Sequence, residues 1–341
     1  MNITYLFGAG ASANSLPVVS QVPNRINEMI IHLSHSQFAL TGFSEQIHEQ
    51  SGYRIANEDI KRKFVSDLKW MVNIVQKHAS IDTYAKKLFI RQDFDVLKKL
   101  KLVFSTYLYL EQCFRPVDYR YDTFFASILF DNINKLPDNI RIISWNYDFQ
   151  FEKAFADYSN ESTIQLNKTH LNIYPSFNNQ NTPKNGFKII KLNGTTDIIE
   201  SSSQDVQYFS TKLIDNIDTN NILEVLEKYY QLTKDSSKYQ VALSFAWEQQ
   251  KQDPKSSFSI AKQETSGTDI LVVIGYSFPY FNRDIDRALI KNMNNLYKVY
   301  FQSPEARQIK ERFLSVRSDI DQENLIERVN ISQFLLPDEL E

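Results

Sequence analysis

The sequence predicts an α/β protein: a Rossmann-like, doubly wound parallel sheet that carries a helical insertion. Short apolar runs recur along the chain and alternate with stretches of helical periodicity, which is typical of parallel βαβ units. Each apolar run ends in a short polar segment, and the carboxyl ends of parallel strands lie on one edge of a sheet. The five predicted strands are 3–7, 140–145, 187–192, 270–274 and 297–301.

The first predicted strand, 3–7, ends at the segment Gly8-Ala9-Gly10-Ala11-Ser12. Glycine permits a tight turn there, and a loop of small residues lets backbone N–H groups approach a pyrophosphate. The segment lacks the full GxGxxG fingerprint, and the chain has no Walker GxxxxGK[ST] motif. A plain strand–turn–helix connection is an equally good interpretation of these residues taken alone.

The segment 26–135 is helical in character and predicts an insertion into the sheet. Apolar residues recur at three- and four-residue steps over 58–78 and again over 94–108, as on the buried face of a helix. A third helix is predicted over 121–133. Residues 80–84 are typical of a helix cap followed by a short helix.

These elements predict a core with two insertions. The core comprises 1–25 and 136–341, and the helical insertion at 26–135 lies between the two parts. A second, smaller insertion interrupts the core at about 200–265, and within it about 241–265 has a helical pattern.

Composition excludes several classes of protein. Of 341 residues, 42% are hydrophobic and 23% are charged, as in an ordinary globular protein. No apolar run approaches the ~20 residues that a membrane helix needs, and the N-terminus lacks a secretion signal. The single cysteine, Cys113, excludes a multi-cysteine zinc site, and the five histidines show no metal-ligand spacing. We therefore expect a cytoplasmic protein without a metal.

The central strand, 140–145, leads into the segment Asn146-Tyr147-Asp148. Asn146 and Asp148 lie two residues apart, so both can face one cavity while Tyr147 turns away. An amide and a carboxylate at this place are also good N-cap residues for the helical pattern that follows, which is the plainer interpretation.

The remaining strand ends are polar in the same way: NGTTD at 193–197, GYSFP at 275–279 and QSP at 302–304. They offer amides, hydroxyls and carboxylates, with neither a full nucleophilic triad nor a metal cluster. Such a set suits a large polar ligand with phosphates, riboses and a carboxamide, and a dinucleotide is the obvious candidate.

Glycine is scarce in this chain. There are 8 glycines, where average usage would give roughly three times as many. Four of them fall at the ends of predicted strands: Gly8, Gly10, Gly194 and Gly275. A chain so sparing with glycine uses it where a side chain would be in the way.

Four segments, in this order, resemble the SIR2-like proteins of bacterial anti-phage defence, which are relatives of the sirtuins. They are GAGAS at 8–12, SWNYD at 144–148, KLNG at 191–194 and GYSFP at 275–279. Residues 80–84 and the run from Gly275 to Asp286 also look like that branch, so the resemblance covers most of the chain. The zinc-binding cysteines of sirtuin deacetylases are absent, which is similar to the defence branch and argues against a protein deacylase.

The resemblance implies a fold that binds NAD+ as its substrate, without a metal, and cleaves the nicotinamide–ribose bond. In the defence branch this hydrolysis depletes the cofactor pool of the infected cell. Since the chain shows no recognisable sensor domain, we expect activation by a companion defence protein or by assembly into a homo- or hetero-oligomer. Association with a membrane is not expected, and the net charge of −3 gives no general attraction to nucleic acid.

Carried over by position, the resemblance implies roles for individual residues. Asn146 would position the attacking water or the ribose, and Asp148 would orient the nicotinamide carboxamide. Loss of nicotinamide leaves an oxocarbenium-like ribose, so such a site must fix geometry and stabilise spreading positive charge. The expected NAD+ contacts are Gly8, Ala9, Gly10 and Ser12 at the pyrophosphate, Gly275, Tyr276 and Ser277 at ribose and phosphate, Gln302 and Ser303 at the adenosine end, and Gly194 of the KLNG segment.

One position departs from the family. The family has a histidine before the glycine of its KLHG-type motif, as the base that activates a ribose hydroxyl or water, and this chain has Asn193. Asparagine cannot take up a proton at pH 7. Hydrolysis is then slow or based on positioning alone, or His170 in the preceding loop substitutes, or a partner completes the site. The alternative function is a catalytically inactive subunit that binds NAD+ or ADP-ribose as a scaffold.

Overall fold

The structure, a computed structural model, describes residues 1–48, 54–129, 131–133, 135–161, 163–175, 186–200, 206–207, 218–234, 239–248 and 253–340. The chain divides into two compact units. The first comprises 1–15, 117–194 and 244–341, and the second comprises 16–116 and 195–243. The second unit therefore combines most of the insertion predicted at 26–135 with part of the one predicted at about 200–265.

The described residues contain twelve strands. They are β1 (Ile3–Phe7), β2 (Phe43–His48), β3 (Arg54–Ala56), β4 (Ile140–Ser144), β5 (Ile173–Tyr174), β6 (Lys188–Lys191), β7 (Ile198–Glu200), β8 (Val206–Gln207), β9 (Tyr239–Val241), β10 (Ile270–Ile274), β11 (Lys298–Gln302) and β12 (Leu325–Arg328).

The same residues contain eleven α-helices. They are α1 (Val22–Ser34), α2 (Asn57–Val75), α3 (Ile81–Ile90), α4 (Phe94–Cys113), α5 (Tyr119–Ile128), α6 (Gln150–Ser159), α7 (Ile164–His170), α8 (Thr219–Lys234), α9 (Ser257–Glu264), α10 (Arg283–Ile290) and α11 (Ala306–Leu314). In the described ranges, no helix is both long enough and apolar enough to cross a membrane.

Seven strands of the first unit form one sheet in the order β12-β11-β10-β1-β4-β6-β5. Every neighbouring pair is parallel. The chain starts in the middle at β1, proceeds through β4 to β5 and β6, and then returns to β10 on the other side of β1. This topology confirms the predicted doubly wound parallel sheet. The strand order reverses between β1 and β10, and ligands of such sheets bind outside the carboxyl ends of the strands at this reversal.

Both faces of the sheet are buried, which explains why β10 reads Ile-Leu-Val-Val-Ile without a polar residue. One face packs against α9, α10 and α11 through residues such as Leu6, Ile143, Val273, Phe301, Phe258, Leu289 and Phe313. The other face packs against α5, α6 and the C-terminal segment through residues such as Phe7, Ile142, Val272, Phe124, Phe151 and Phe334.

The second unit is mainly helical. Helix α2 contacts α1, α4 and α8, because its apolar residues recur on one side. All five apolar positions that the periodicity predicts are buried: Ile60, Phe64, Leu68, Met71 and Val75. The predicted cap before α3 is also confirmed, since the amide of Thr83 donates to Ser80 Oγ over 3.2 Å.

Several local predictions are wrong. The segment 26–135 is not helical throughout, because β2 and β3 pair as antiparallel strands. Among the described residues of about 241–265, the pattern corresponds to an α-helix only at α9, preceded by a short 3-10 helix at Ala246–Glu248. Residues 249–252 lie outside the described part. The sequence also does not predict β5 or β12 of the main sheet. These strands are short or half polar, and so have no long apolar run to mark them.

Candidate functional site

The loops that follow β1 and β10 lie against each other where the strand order reverses. The amide of Gly10 donates to the carbonyl oxygen of Gly275 over 2.9 Å, and that of Gly8 donates to Ile274 over 3.0 Å. A Cβ on Gly8 would lie 2.7 Å from the oxygen of Gly275, and a Cβ on Gly275 would lie 2.3 Å from the nitrogen of Ala11. The close approach of these loops accounts for the glycines, whereas the sequence interpretation assigned them to a pyrophosphate.

Ser12, Asn146 and Asp148 form one hydrogen-bonded group at the ends of β1 and β4. Ser12 Oγ donates to Asp148 Oδ2 over 2.7 Å. Asn146 Nδ2 donates to the carbonyl oxygen of Gly8 over 3.0 Å and to Ser12 Oγ over 3.3 Å. The structure therefore brings these predicted residues together. Because the amide nitrogen of Asn146 is engaged, a ligand or a water at this side chain would have to bind its carbonyl oxygen, Oδ1.

Asp148 serves the fold as well as this polar group. Its Oδ1 accepts a hydrogen bond from the amide of Gln150, the first residue of α6, over 3.3 Å, although the N-cap position of this helix is Phe149. Burial, the largest cause, raises the pKa of Asp148 above its usual value, while the charge of Lys191 and the hydrogen bond from Ser12 act to lower it. A carboxyl group in such surroundings is a stronger base than an exposed aspartate.

Asn193 follows β6 and lies beside the end of β4. Its Nδ2 donates to the carbonyl oxygen of Trp145 over 3.2 Å. Its Oδ1 is buried and has no hydrogen-bond partner within the described ranges. A buried polar atom without a partner costs about 1–3 kcal/mol, so Asn193 Oδ1 is an acceptor that a ligand or a water can satisfy. Gly194, next to it, has a φ of +72°, a left-handed backbone conformation that favours glycine.

Tyr276 is buried in the loop after β10. Its ring stacks on Trp145, with ring centroids 5.9 Å apart and an angle of 13° between the planes. Its hydroxyl donates to Asp286 Oδ2 over 2.7 Å and accepts from Asn282 Nδ2 over 3.0 Å. These contacts engage the ring and the hydroxyl of Tyr276, so a ligand at this residue would have to contact its backbone.

A cleft of about 100 Å³ opens beside Gly10 and Gly275. Ser277, Gln302 and Ser303 line it, so the structure also brings these predicted residues to the same sheet edge. Ligand pockets have volumes of about 300–1,000 Å³, so this cleft is too small to enclose a whole dinucleotide.

The side chain of Gln302 is held by hydrogen bonds to the C-terminal segment. Its Nε2 donates to the carbonyl oxygens of Asn330 and Gln333, both over 2.7 Å, and its Oε1 accepts the amide of Leu335 over 2.9 Å. Ser303 Oγ accepts a hydrogen bond from the backbone amide of Glu305, the residue before α11. Only one lone pair of the Gln302 side-chain oxygen therefore remains for the adenosine contact that the resemblance implies.

Arg120 also lines the cleft, and the sequence analysis did not identify it. The side chain is only 2% exposed. Its Nη2 donates to Ala11 over 2.8 Å, and its Nε and Nη2 donate to Asp118 over 2.9 and 2.6 Å. Arg120 therefore holds the loop after β1 in place. An Asp-x-Arg spacing is common at helix starts, so no sequence signal marks this contact.

His170 lies away from this group. It is exposed at the end of α7, and β5 begins three residues later. Because β5 runs parallel to the other strands, its start lies at the amino edge of the sheet, opposite the carboxyl edge that holds Asn146 and Asp148. The expectation that His170 substitutes for the missing base is therefore wrong, because His170 is too far from Asn146 and Asp148 to act with them.

Comparison with known proteins adds no family to these observations. No protein-family model matches the chain, and no curated protein matches it either. The function is therefore inferred from the residues at the sheet edge and from the resemblance of the four segments.

Proposed function

We propose that the protein binds NAD+ at the carboxyl edge of its sheet and hydrolyses the nicotinamide–ribose bond. The observation that carries this proposal is the joining of Ser12, Asn146 and Asp148 in one hydrogen-bonded group beside the reversal of strand order. The resemblance of the four segments supports the further proposal of an anti-phage effector, activated by a companion protein or by oligomerisation.

The proposed hydrolysis uses two hydrogen-bond acceptors and one base. Nicotinamide departs with the electron pair of the C–N bond, and water supplies a hydroxyl to C1′ of the ribose. The carbonyl oxygen of Asn146 and the unpartnered Oδ1 of Asn193 accept hydrogens from that water or from ribose hydroxyls. Asp148 is the ionisable member of the group, so its carboxylate stabilises the oxocarbenium-like ribose and accepts the proton of the water before releasing it to solvent.

Replacing Asn146 by alanine is expected to reduce nicotinamide release by at least about 100-fold, because a water or ribose displaced by about 1 Å costs that much. The purified chain is incubated with NAD+, alone and with the proteins encoded beside it, and nicotinamide is quantified by chromatography. His170→Ala is expected to keep the full rate, since His170 lies at the opposite sheet edge. An Asn146→Ala variant that is folded by circular dichroism and fully active would contradict the assignment.

The second candidate is a subunit that binds NAD+ or ADP-ribose without turnover, and Asn193 in place of a histidine favours it. Calorimetry separates the two functions. Binding with no nicotinamide released under any activating condition supports the binding subunit. Neither binding nor release contradicts both candidates.

A further inference from the structure

Lys191, the last residue of β6, is a buried lysine that contacts the turn after β4. Its side chain is 1% exposed. Its Nζ donates to the backbone carbonyl oxygen of Asp148 over 2.6 Å and to Glu152 Oε1 over 2.6 Å. One ammonium group therefore joins the end of β6, the turn that carries Asp148 and the first turn of α6.

Stability alone does not explain this ion pair. Burial, the largest cause, lowers the pKa of Lys191, which reflects the cost of removing an ammonium from water. Glu152 is fully buried, and its Oε2 has no hydrogen-bond partner in the part of the chain that the structure describes. Apolar side chains of similar volume often stabilise a protein as well as such a pair does. What the pair supplies here is a fixed donor at the Asp148 carbonyl.

Strand β6 carries a second buried lysine that serves as an internal comparison. Lys188 Nζ lies 2.6 Å from Glu264 Oε1 of α9. Since side chains alternate along a strand, Lys188 and Lys191 project from opposite faces of the sheet. The two lysines thus share strand, burial and an acidic partner. Lys191 contacts the turn after β4, whereas the partner of Lys188, Glu264, is also paired with Arg141.

We propose that Lys191 is a positioning residue for the polar group of Ser12, Asn146 and Asp148. Its ammonium, held by Glu152, fixes the carbonyl of Asp148 and with it the backbone of the turn. This backbone directs the Asp148 carboxylate to Ser12 and the Asn146 amide to the loop after β1. The consequence for catalysis rests on the proposed function, whereas the effect on the turn does not.

Amide hydrogen exchange of residues 145–153 tests the effect on the turn without any ligand. In Lys191→Met the ammonium is replaced by an unbranched neutral group, and exchange in this segment is expected to accelerate at least about tenfold because the turn opens locally. Lys188→Met is the matched control, and its exchange over 145–153 is expected to match the wild type. Equal acceleration in both variants would overturn the proposal.

The double variant Lys191→Met/Glu152→Met separates positioning from stability, and it also covers the case in which the single variant does not fold. It removes both charges of the Lys191–Glu152 ion pair, so its thermal stability is expected to return towards the wild-type value. Exchange over 145–153 is expected to stay fast, because the donor to the Asp148 carbonyl is still missing. Recovery of both stability and slow exchange would overturn the positioning role.

NAD+ then tests the consequence for the site. Calorimetry is expected to show NAD+ binding about tenfold weaker in Lys191→Met and in the double variant, with nicotinamide release reduced by about 100-fold. Lys188→Met is expected to bind and cleave as the wild type does. Wild-type protein that neither binds nor cleaves NAD+ would contradict the proposed function, while the exchange comparison would still decide the role of Lys191.

Discussion

Gly275→Ala is expected to lose about 2–5 kcal/mol of unfolding free energy or to prevent folding altogether. Gly275 has a φ of +60°, and an added Cβ would lie 2.3 Å from the nitrogen of Ala11 and 2.4 Å from the carbonyl carbon of Gly10. The left-handed backbone costs an L-residue about 1–2 kcal/mol, and overpacking against backbone atoms adds about 1–3 kcal/mol. The loops after β1 and β10 would have to separate. Urea unfolding of the purified variant measures the loss.

Gly267→Ala provides the control for this substitution. Gly267 belongs to the same unit, and a Cβ there would meet only Asn2 Nδ2, at an ordinary distance of 3.7 Å. Its unfolding free energy is expected to stay within about 1 kcal/mol of the wild type. Equal stability of the two variants would show that the loops after β1 and β10 do not need their close contact.

Asp286→Asn is expected to stabilise the protein at neutral pH and to leave it unchanged near pH 4. Asp286 is 1% exposed, and burial, as the largest cause, raises its pKa from 3.8 to about 8, against the hydrogen bond from Tyr276. Between these two pH values the folded chain retains a proton that the unfolded chain releases. Wild-type stability therefore falls as pH rises from about 4 to about 8 and is constant above that window.

The side-chain amide of the Asp286→Asn variant resembles the protonated carboxyl group, so the stability of this variant does not depend on pH through residue 286. Each pH unit corresponds to about 1.4 kcal/mol, and pH 7 lies about three units above the usual pKa, so the gain at pH 7 is on the order of 4 kcal/mol. Unfolding curves at pH 4, 5.5, 7 and 8.5 measure the difference from wild type. Asp284→Asn, exposed on the same helix, is the control for an Asp→Asn substitution outside the core. A difference that stays flat with pH would refute a protonated Asp286.

The elements predicted with the right type and place are those whose signal lies in neighbouring residues. The strand ends at Gly8, Asn146 and Gly275 are visible because an apolar run stops abruptly at a polar or small residue. The helical face of α2 is visible because its apolar residues repeat at three- and four-residue steps. In contrast, β5 has two residues and β2 mixes polar and apolar side chains, so neither differs from a loop in sequence.

The site could be predicted only to the level of which loops compose it. The spacing of Asn146 and Asp148 indicates that both face one side, and the structure joins them to Ser12. No pattern indicates that Gln302 is occupied by the C-terminal segment or that Tyr276 is bonded to Asp286. These contacts join residues brought together by packing, so their partners cannot be inferred from spacing along the chain.

The amino-acid sequence by itself determined the parallel sheet and the edge at which its polar loops meet, because periodicity and strand-end chemistry are local and the right-handed crossover is general. The tertiary structure decided what each polar residue does there. It pairs the Asn146 side-chain amide with Gly8 and leaves Asn193 Oδ1 without a partner within the described residues. It also places His170 at the amino edge of the sheet and brings the Lys191 ammonium to the Asp148 carbonyl oxygen. A side chain's hydrogen-bond partners are set by which distant segments pack beside it, and that is settled only when the whole unit folds.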